Sequence, residues 1–287
     1  MTKNPLVSIV VPAWNEEKNI GRLVESINNQ TYKRLETIVI DDGSVDNTAE
    51  IASSLGAYVF KRTRHERSVE RNFGASKARG AYLLFLDADM ELTKDVIKNC
   101  LETVQKNDYK LLVIPEKTVG NNFIARIRNF ERQMYMGDPN IEVARLFDTK
   151  VFKEFGGYDP KLTGPEDYDL PYRISKKYQI GRSYDYILHH EEYNNATLGK
   201  LLARKYYYAK KGAVYASKHP ELISTQGNLL FRKAYFKNWR KFIREPLLGI
   251  SFLVTRTLET IWAVSGYINA VGLGGFVKSF LRMFIND

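Results

Sequence analysis

Ala81-Tyr82-Leu83-Leu84-Phe85-Leu86-Asp87-Ala88-Asp89-Met90 decides the fold. A hydrophobic, strand-like run stops at two carboxylates spaced i, i+2. Burying carboxylates at a strand end costs desolvation unless a cation or hydrogen-bond donors wait there. In an extended backbone i and i+2 point the same way, so the spacing predicts that both carboxylates face one ligand. Two oxygen donors at an open sheet edge suit a hard divalent ion that also holds a diphosphate. A plain turn after a strand also favours Asp, so the surrounding sequence has to decide.

Upstream, Leu6–Val11 is a short β-branched run ending at Pro12, and residues 15–30 put Ile20, Leu23, Val24 and Ile27 on one helical face. A second strand, Glu36–Ile40, ends in Asp41-Asp42-Gly43-Ser44, after which Asp46 or Asn47 caps a helix to about Leu55. Ala57–Lys61 predicts a third strand and residues 68–79 a further helix. This alternation specifies an α/β fold with a doubly wound, mostly parallel, Rossmann-like sheet. Ligands of such sheets sit at the carboxyl ends of strands. The polar clusters at 12–15, 41–44 and 87–89 all fall there. Downstream, a helix buries Val96, Cys100, Leu101 and Val104, and strands follow at 111–115 and 143–147. Between those strands, residues 122–136 read as an amphipathic helix. A loop at 156–160, Glu166-Asp167 before a helix near 168–177, and Ile187-Leu188-His189-His190 complete this part.

The chain has 287 residues, of which 44% are hydrophobic, enough for one large domain with an appendage or for two small ones. A single cysteine, Cys100, excludes an internal disulfide framework and a cysteine-based metal cluster. Met1-Thr2-Lys3-Asn4-Pro5 leads straight into a strand pattern, so no cleaved signal peptide is expected. A net charge of +10 points to anionic partners: phosphorylated substrates or an acidic membrane surface. No zinc-finger spacing or RNA-recognition pattern is present, so no nucleic-acid partner is expected.

Beyond residue 196 the text changes. Residues 198–211 form a basic-aromatic helix, and residues 229–244 read as another, with Phe231, Tyr235, Phe236, Trp239 and Phe242 among six Lys or Arg. Aromatics mixed with Lys and Arg are what a helix at a headgroup interface uses. Residues 246–255 and 260–277 carry no charge and are separated by Arg256 and Glu259. The second run is 18 long, at the short end for a span, and holds Gly266, Asn269, Gly272, Gly274 and Gly275. A monotopic or re-entrant platform, a spanning helix and a soluble helical core all fit this composition.

Five segments occur in order: Val-Ser-Ile-Val-Val-Pro-Ala-Trp-Asn-Glu (7–16), Ile-Val-Ile-Asp-Asp-Gly-Ser-Val-Asp-Asn-Thr (38–48), Glu-Arg-Asn-Phe-Gly-Ala-Ser-Lys-Ala-Arg-Gly (70–80), Asp87-Ala88-Asp89, and Gly-Gly-Tyr-Asp with Glu-Asp-Tyr-Asp-Leu (156–170). Together they resemble family 2 glycosyltransferases of the GT-A fold, over roughly residues 5–195. The resemblance implies a catalytic domain at 1–195; the family motifs do not extend beyond it, and the basic-aromatic and apolar composition predicts a helical, membrane-associating appendage at 196–287. It implies a nucleoside-diphosphate sugar held by Pro12, Ala13, Asn15, Glu16, Asp41, Asp42, Arg67, Arg71 and Asp87. It implies Mg²⁺ or Mn²⁺ on Asp89, with Asp87 on ribose or metal and His190 completing the shell. Asp167 is then the general base, with Glu166 beside it.

Each residue type suits its part. Carboxylates at Asp41 and Asp42 accept hydrogen bonds from a base or ribose, although Asp-Asp-Gly-Ser is also an ordinary turn. Guanidinium groups match phosphate geometry, although Arg67 also fits a solvated basic face. A carboxylate removes the proton of an acceptor hydroxyl while the anomeric carbon is attacked from the opposite face. Acids at a helix N-terminus also complement its dipole. Two histidines at a strand end serve equally as packing groups.

The activity implied is inverting, metal-dependent transfer of a hexose, mannose or glucose, to a lipid-linked acceptor at the cytoplasmic face of the cell membrane. That acceptor is a polyprenyl phosphate or a lipid-borne glycan. Arg126, Arg128 and Arg132 are candidates for the acceptor phosphate, or the polar face of a surface helix. Extension of a soluble polysaccharide or protein glycan is the runner-up. A nucleotidyltransferase usually carries a Gly- and Arg-rich loop where this chain has Pro-Ala-Trp-Asn-Glu. An inactive nucleotide-sugar-binding module would not need Asp42, Asp89 and Asp167 together.

Overall fold

A computed structural model describes residues 4–138, 141–191, 197–222, 226 and 232–285, with side chains as far as Ser279. The elements begin with β1 (Val7–Ala13), α1 (Ile20–Asn28), β2 (Leu35–Asp41), α2 (Thr48–Ser54), β3 (Tyr58–Lys61) and α3 (Arg67–Lys77). Next come β4 (Tyr82–Phe85), β5 (Met90–Leu92), α4 (Val96–Asn107), β6 (Leu111–Val113), β7 (Glu116–Val119) and α5 (Phe123–Tyr135). They are followed by β8 (Ala144–Asp148), α6 (Thr149–Glu154), α7 (Glu166–Ser175), β9 (Ile180–Arg182) and β10 (Ile187–His190). The last are α8 (Leu198–Lys218), α9 (Lys233–Lys237), α10 (Arg240–Arg244) and α11 (Pro246–Ile285).

The chain divides into two compact units. One comprises Met1–Lys117, Val143–Pro160 and Asp167–Tyr193; the other comprises Thr118–Glu142, Lys161–Glu166 and Asn194–Asp287. The expected boundary between 195 and 196 falls within residues 192–196, outside the described residues. The amphipathic segment around α5 folds with the carboxyl-terminal helices instead.

In the first unit a seven-stranded sheet runs β3-β2-β1-β4-β8-β6-β9. Strands β1, β2, β3 and β4 are parallel, and β8 alone runs against its neighbours β4 and β6. Alternation along β1 explains the two layers. Val7, Ile9, Val11 and Ala13 join the core with Ile20, Leu23, Val24 and Ile27 of α1 and with Val96, Cys100 and Leu101 of α4. Val10 faces the other way, into a core with Ala75, Leu83, Phe85, Phe147, Phe152 and Tyr158. A second sheet, β5-β10-β7, flanks the end of β4. Its three strands have only three or four residues each.

α3 lies close enough to β1 and β2 that only glycine fits at position 74. A Cβ there would sit 2.4 Å from Val10 Cγ1 and 3.3 Å from Ile40 Cγ1. Gly74→Ala should therefore destabilise this unit by about 1–3 kcal/mol through overpacking, read as a lower urea midpoint at unchanged slope. A midpoint equal to that of the wild type would show that α3 can move off the sheet.

In the second unit Ile127, Phe130 and Met134 of α5 pack with Tyr235, Leu248 and Phe252. The segment at 229–244 forms two short helices, α9 and α10, with residues 229–231 outside the described residues. The two uncharged runs merge into α11, which bends at Gly272, where φ is 74° and ψ 166°.

Candidate active site

The carboxyl ends of β1 and β2 are tied together by their loops. Asn15 adopts a left-handed conformation (φ 53°), which asparagine tolerates better than most residues. Its N–H donates to Ser44 Oγ at 2.9 Å, and its Oδ1 accepts from Val45 N at 2.9 Å. Glu16 N donates to Thr48 Oγ1 at 2.7 Å. Pro12 and Ala13 are the last residues of β1 and pair in register with Ile40 and Asp41. Asp42 Oδ1 accepts from His65 N at 2.8 Å, and Asp41 Oδ1 from Ser44 N at 3.3 Å. Trp14, exposed, stacks on the Arg64 guanidinium with 3.4 Å to the ring centroid.

Asp42, His65 and Glu70 bring ligand atoms within 4.8 Å of one another, which makes them a candidate cation site. Glu70 also meets Arg62 Nε at 3.3 Å and His65 Nδ1 at 3.1 Å. Burial raises the carboxyl pKa of both Asp42 and Glu70.

Asp87 and Asp89 lie in a turn, not in extended backbone, because β4 ends at Phe85 and Met90 N donates to Asp87 O at 3.1 Å. The two carboxylates have different direct partners. Asp87 Oδ1 meets Arg71 Nη2 at 2.9 Å and its Oδ2 meets Arg145 Nη2 at 3.3 Å. Arg71, fully buried, also pairs through Nη1 with Asp167 Oδ1. Arg145 Nη2 meets Glu116 Oε1 at 2.6 Å. Glu116 Oε2 lies 2.9 Å from His189 Nδ1, and His189 Nε2 lies 3.3 Å from Asp89 Oδ2. One chain of charges thus links Asp167, Arg71, Asp87, Arg145, Glu116, His189 and Asp89. Burial pushes the Asp87 pKa up, but Arg145, Arg67, Arg71 and His189 together hold it well below the usual carboxylate value. Burial, with the negative charges of Asp89, Asp87 and Asp46, raises the Glu16 carboxyl pKa to about 7.

His190 does not turn toward Asp89. Its Nε2 lies 2.7 Å from Glu91 Oε2, while its backbone N donates to Asp89 O at 2.9 Å. Successive side chains of a strand point to opposite faces, so His189 takes the place beside the Asp89 carboxylate. Arg71 is a buried link between two carboxylates, whereas Arg67 is exposed and acts on Asp87 through its charge.

Glu166 is buried and belongs to the second unit, unlike its neighbour Asp167. Arg126, Arg128 and Arg132 lie in the second unit too. Arg128 meets Glu131 at 2.5 Å and Glu259 at 3.7 Å, Arg132 donates to Thr118 Oγ1 at 2.8 Å, and Arg126 is exposed. Arg145, Glu116 and His189 were missed in the sequence. The signal for Arg145 was a lone charge inside the strand run Ala-Arg-Leu-Phe.

Residues 8–157 match the model of glycosyl transferase family 2, more than half of the chain, and the protein belongs to this family. It is 34% identical over 155 residues to an uncharacterized glycosyltransferase of Haemophilus influenzae, covering 52% of this chain and 60% of that one. It is 28% identical over 216 residues to a hyaluronan synthase of Pasteurella multocida, covering 70% of this chain but 22% of that one. The chain thus spans less than two thirds of these relatives' length.

Among solved structures, it is similar to residues 1–349 of TarS from S. aureus, with TM-score 0.58, 19% identity and coverage of 98% and 88%. It is also similar to a mannosyltransferase of Pyrobaculum calidifontis in complex with GDP-Man and Mn²⁺, with TM-score 0.57, 16% identity and coverage of 99% and 80%. At these identities the likeness establishes the GT-A fold.

Proposed function

We propose that the chain is an inverting, metal-dependent hexosyltransferase. It moves mannose or glucose from a nucleoside diphosphate to a lipid-linked acceptor at the cytoplasmic face of the cell membrane. The observation that carries this reading is the chain of ion pairs that joins Asp167 to Asp87 and Asp89 beyond the end of β4, with Asp42 just past the carboxyl end of β2.

Asp42 keeps its loop in place through His65 N and offers its second oxygen to the base or ribose. Asn15 and Ser44 hold the two loops that flank the nucleotide. Arg67 neutralises the diphosphate, and Arg71 fixes the Asp167 carboxylate beside the donor. Asp167 then takes the proton of an acceptor hydroxyl, or orients an acceptor that is already a phosphate.

Asp89 Oδ2 and His189 Nε2, 3.3 Å apart, would offer a carboxylate and an imidazole to one ion, a pair better suited to Mn²⁺ than to Mg²⁺, which prefers oxygen donors alone. When bound there, the ion would offset the charge gathering on the leaving nucleoside diphosphate. Asp42, His65 and Glu70 are the less suitable set, since Glu70 already meets Arg62.

Glu116 would then be the carboxylate that orients this imidazole toward an ion. Accepting from Nδ1 leaves Nε2 of His189 to the metal. Glu116→Gln should raise the Mn²⁺ dissociation constant about 10-fold or more, measured by calorimetry on the donor-free protein. Unchanged affinity would remove His189 from the metal site.

The function itself is tested by incubating the protein with a panel of nucleotide sugars, Mn²⁺ or Mg²⁺ and a polyprenyl phosphate. The lipid is then extracted and the product weighed. Sugar transfer only to a water-soluble glycan would favour the second reading, extension of a polysaccharide, which the hyaluronan synthase relative supports.

A further inference from the structure

α11 is built inside out. Its inner face carries charge beside the packed Leu248 and Phe252: Arg256 and Glu259 are 2% and 1% exposed. Arg256 Nη1 lies 2.8 Å from Glu259 Oε2, and Arg256 also pairs with Glu131 of α5. Arg128 of α5 and Lys205 of α8 approach Glu259 at 3.7 and 3.8 Å. The outer face is apolar. Leu247, Ile250, Val254 and Ile261 are more than half exposed, with Leu253 and Trp262 beside them. A helix on the surface of a water-soluble domain does the opposite, burying its apolar stripe and exposing its charges. The same inversion is stable where the outside medium is hydrocarbon.

The approach to α11 specifies that medium further. Residues 232–244 contain Arg232, Lys233, Lys237, Arg240, Lys241 and Arg244 and no acid. Phe236, Trp239 and Ile243 are exposed among them. Cations interleaved with exposed aromatics match an anionic headgroup layer, with each Lys or Arg adding attraction and Trp resting at the interface.

The depth follows from α8. It packs along α11, so closely that a Cβ on Gly266 would fall 2.3 Å from Tyr206 O. α8 carries Lys200, Arg204, Lys205, Lys210, Lys211 and Lys218. Six cations do not enter hydrocarbon with their helix. α11 therefore keeps its α8 side out of the bilayer interior, although Pro246–Ser279 is long and apolar enough to cross one.

We infer that the outer face of α11, from Leu247 to Trp262, beds in the plane of one leaflet of an anionic bilayer, with α10 at its headgroups. This rests on the membrane part of the proposed function and gives it a face, a partner chemistry and a depth.

The test uses the full chain and vesicles of phosphatidylcholine with or without phosphatidylglycerol. Three tryptophans, Trp14, Trp239 and Trp262, report position, and Trp14→Phe removes the one in the catalytic unit. Binding to anionic vesicles at low salt should blue-shift the remaining emission, and lipids brominated along the chain should quench it. Neutral vesicles or high salt should weaken binding at least 10-fold. Ile250→Asp with Val254→Asp should weaken it a further 10-fold or more, while donor binding by calorimetry stays unchanged.

Three results would overturn the inference. The first is no vesicle binding at low salt. The second is quenching by aqueous iodide undiminished on vesicles. The third is a dimer in solution that the double Asp variant dissociates, which makes the face a contact between copies. Donor binding and transfer to a short-chain, water-soluble acceptor are read separately. Their persistence with vesicle binding lost overturns the docking surface alone. Their absence with vesicle binding intact overturns the transferase reading alone.

Discussion

Replacing Asp89 by alanine should lower turnover by a factor on the order of 10³ or more, since a metal that stabilises developing charge supplies several kcal/mol and about 1.4 kcal/mol is tenfold. The fold should survive. The bond from His190 N goes to the backbone oxygen of residue 89, which alanine keeps, and the Asp89 side chain is partly open. Asp87 would be the poorer test. Its carboxylate faces both Arg71 and Arg145, so its removal leaves two buried guanidinium groups short of a counter-charge. Chelation of the wild type should reproduce the Asp89→Ala loss, and Mn²⁺ should reverse it. Circular dichroism checks the fold, and release of nucleoside diphosphate checks turnover. Full activity in excess chelator would reject the metal.

The Asp89 prediction could be made from the sequence because a strand that stops at Asp-x-Asp is a local feature. The elements from β1 through β4 were legible for the same reason: each is a short periodic run closed by turn residues. β5, β7 and β9 were not. Three or four residues with Glu, Lys or Arg among them carry no periodicity, and their pairing comes only from the long-range sheet. The choice between His189 and His190 depends on strand parity, and one residue of uncertainty in where β10 begins reverses it.

Glu116 and Arg145 could not be joined in sequence because 29 positions separate them; Arg145 lies on β8, whose pairing with β6 brings it near Glu116, the first residue of β7 just beyond the end of β6. α11 shows the deepest limit. Arg256 and Glu259 read as separators between two apolar runs, whereas they are the inner face of one helix. Composition counts charges but does not say which side of a helix they take.

Asp167→Asn separates two kinds of acceptor. Asparagine keeps the size of the side chain and an oxygen that accepts from Arg71 Nη1, so the site should stay assembled. What is lost is the negative charge that receives a proton. For an acceptor hydroxyl, the proton must leave as the new bond to the anomeric carbon forms, and losing a general base costs about 10²- to 10⁴-fold in turnover. For a phosphate acceptor the attacking oxygen is already anionic, and the loss should stay within about 10-fold, since only orientation is affected.

Both acceptor types should be run against the same variant, a polyprenyl phosphate and a lipid-borne glycan, with donor affinity measured by calorimetry. Arg71 makes the comparison sharp. It holds Asp87 as well as Asp167, so a variant that disturbed Arg71 would also weaken the donor, and a loss of turnover at constant donor affinity isolates proton transfer. Wild-type turnover on the glycan would show that Asp167 is not the base. A large loss on the phosphate would mean that Asp167 orients the acceptor far more strongly than its single contact with Arg71 suggests.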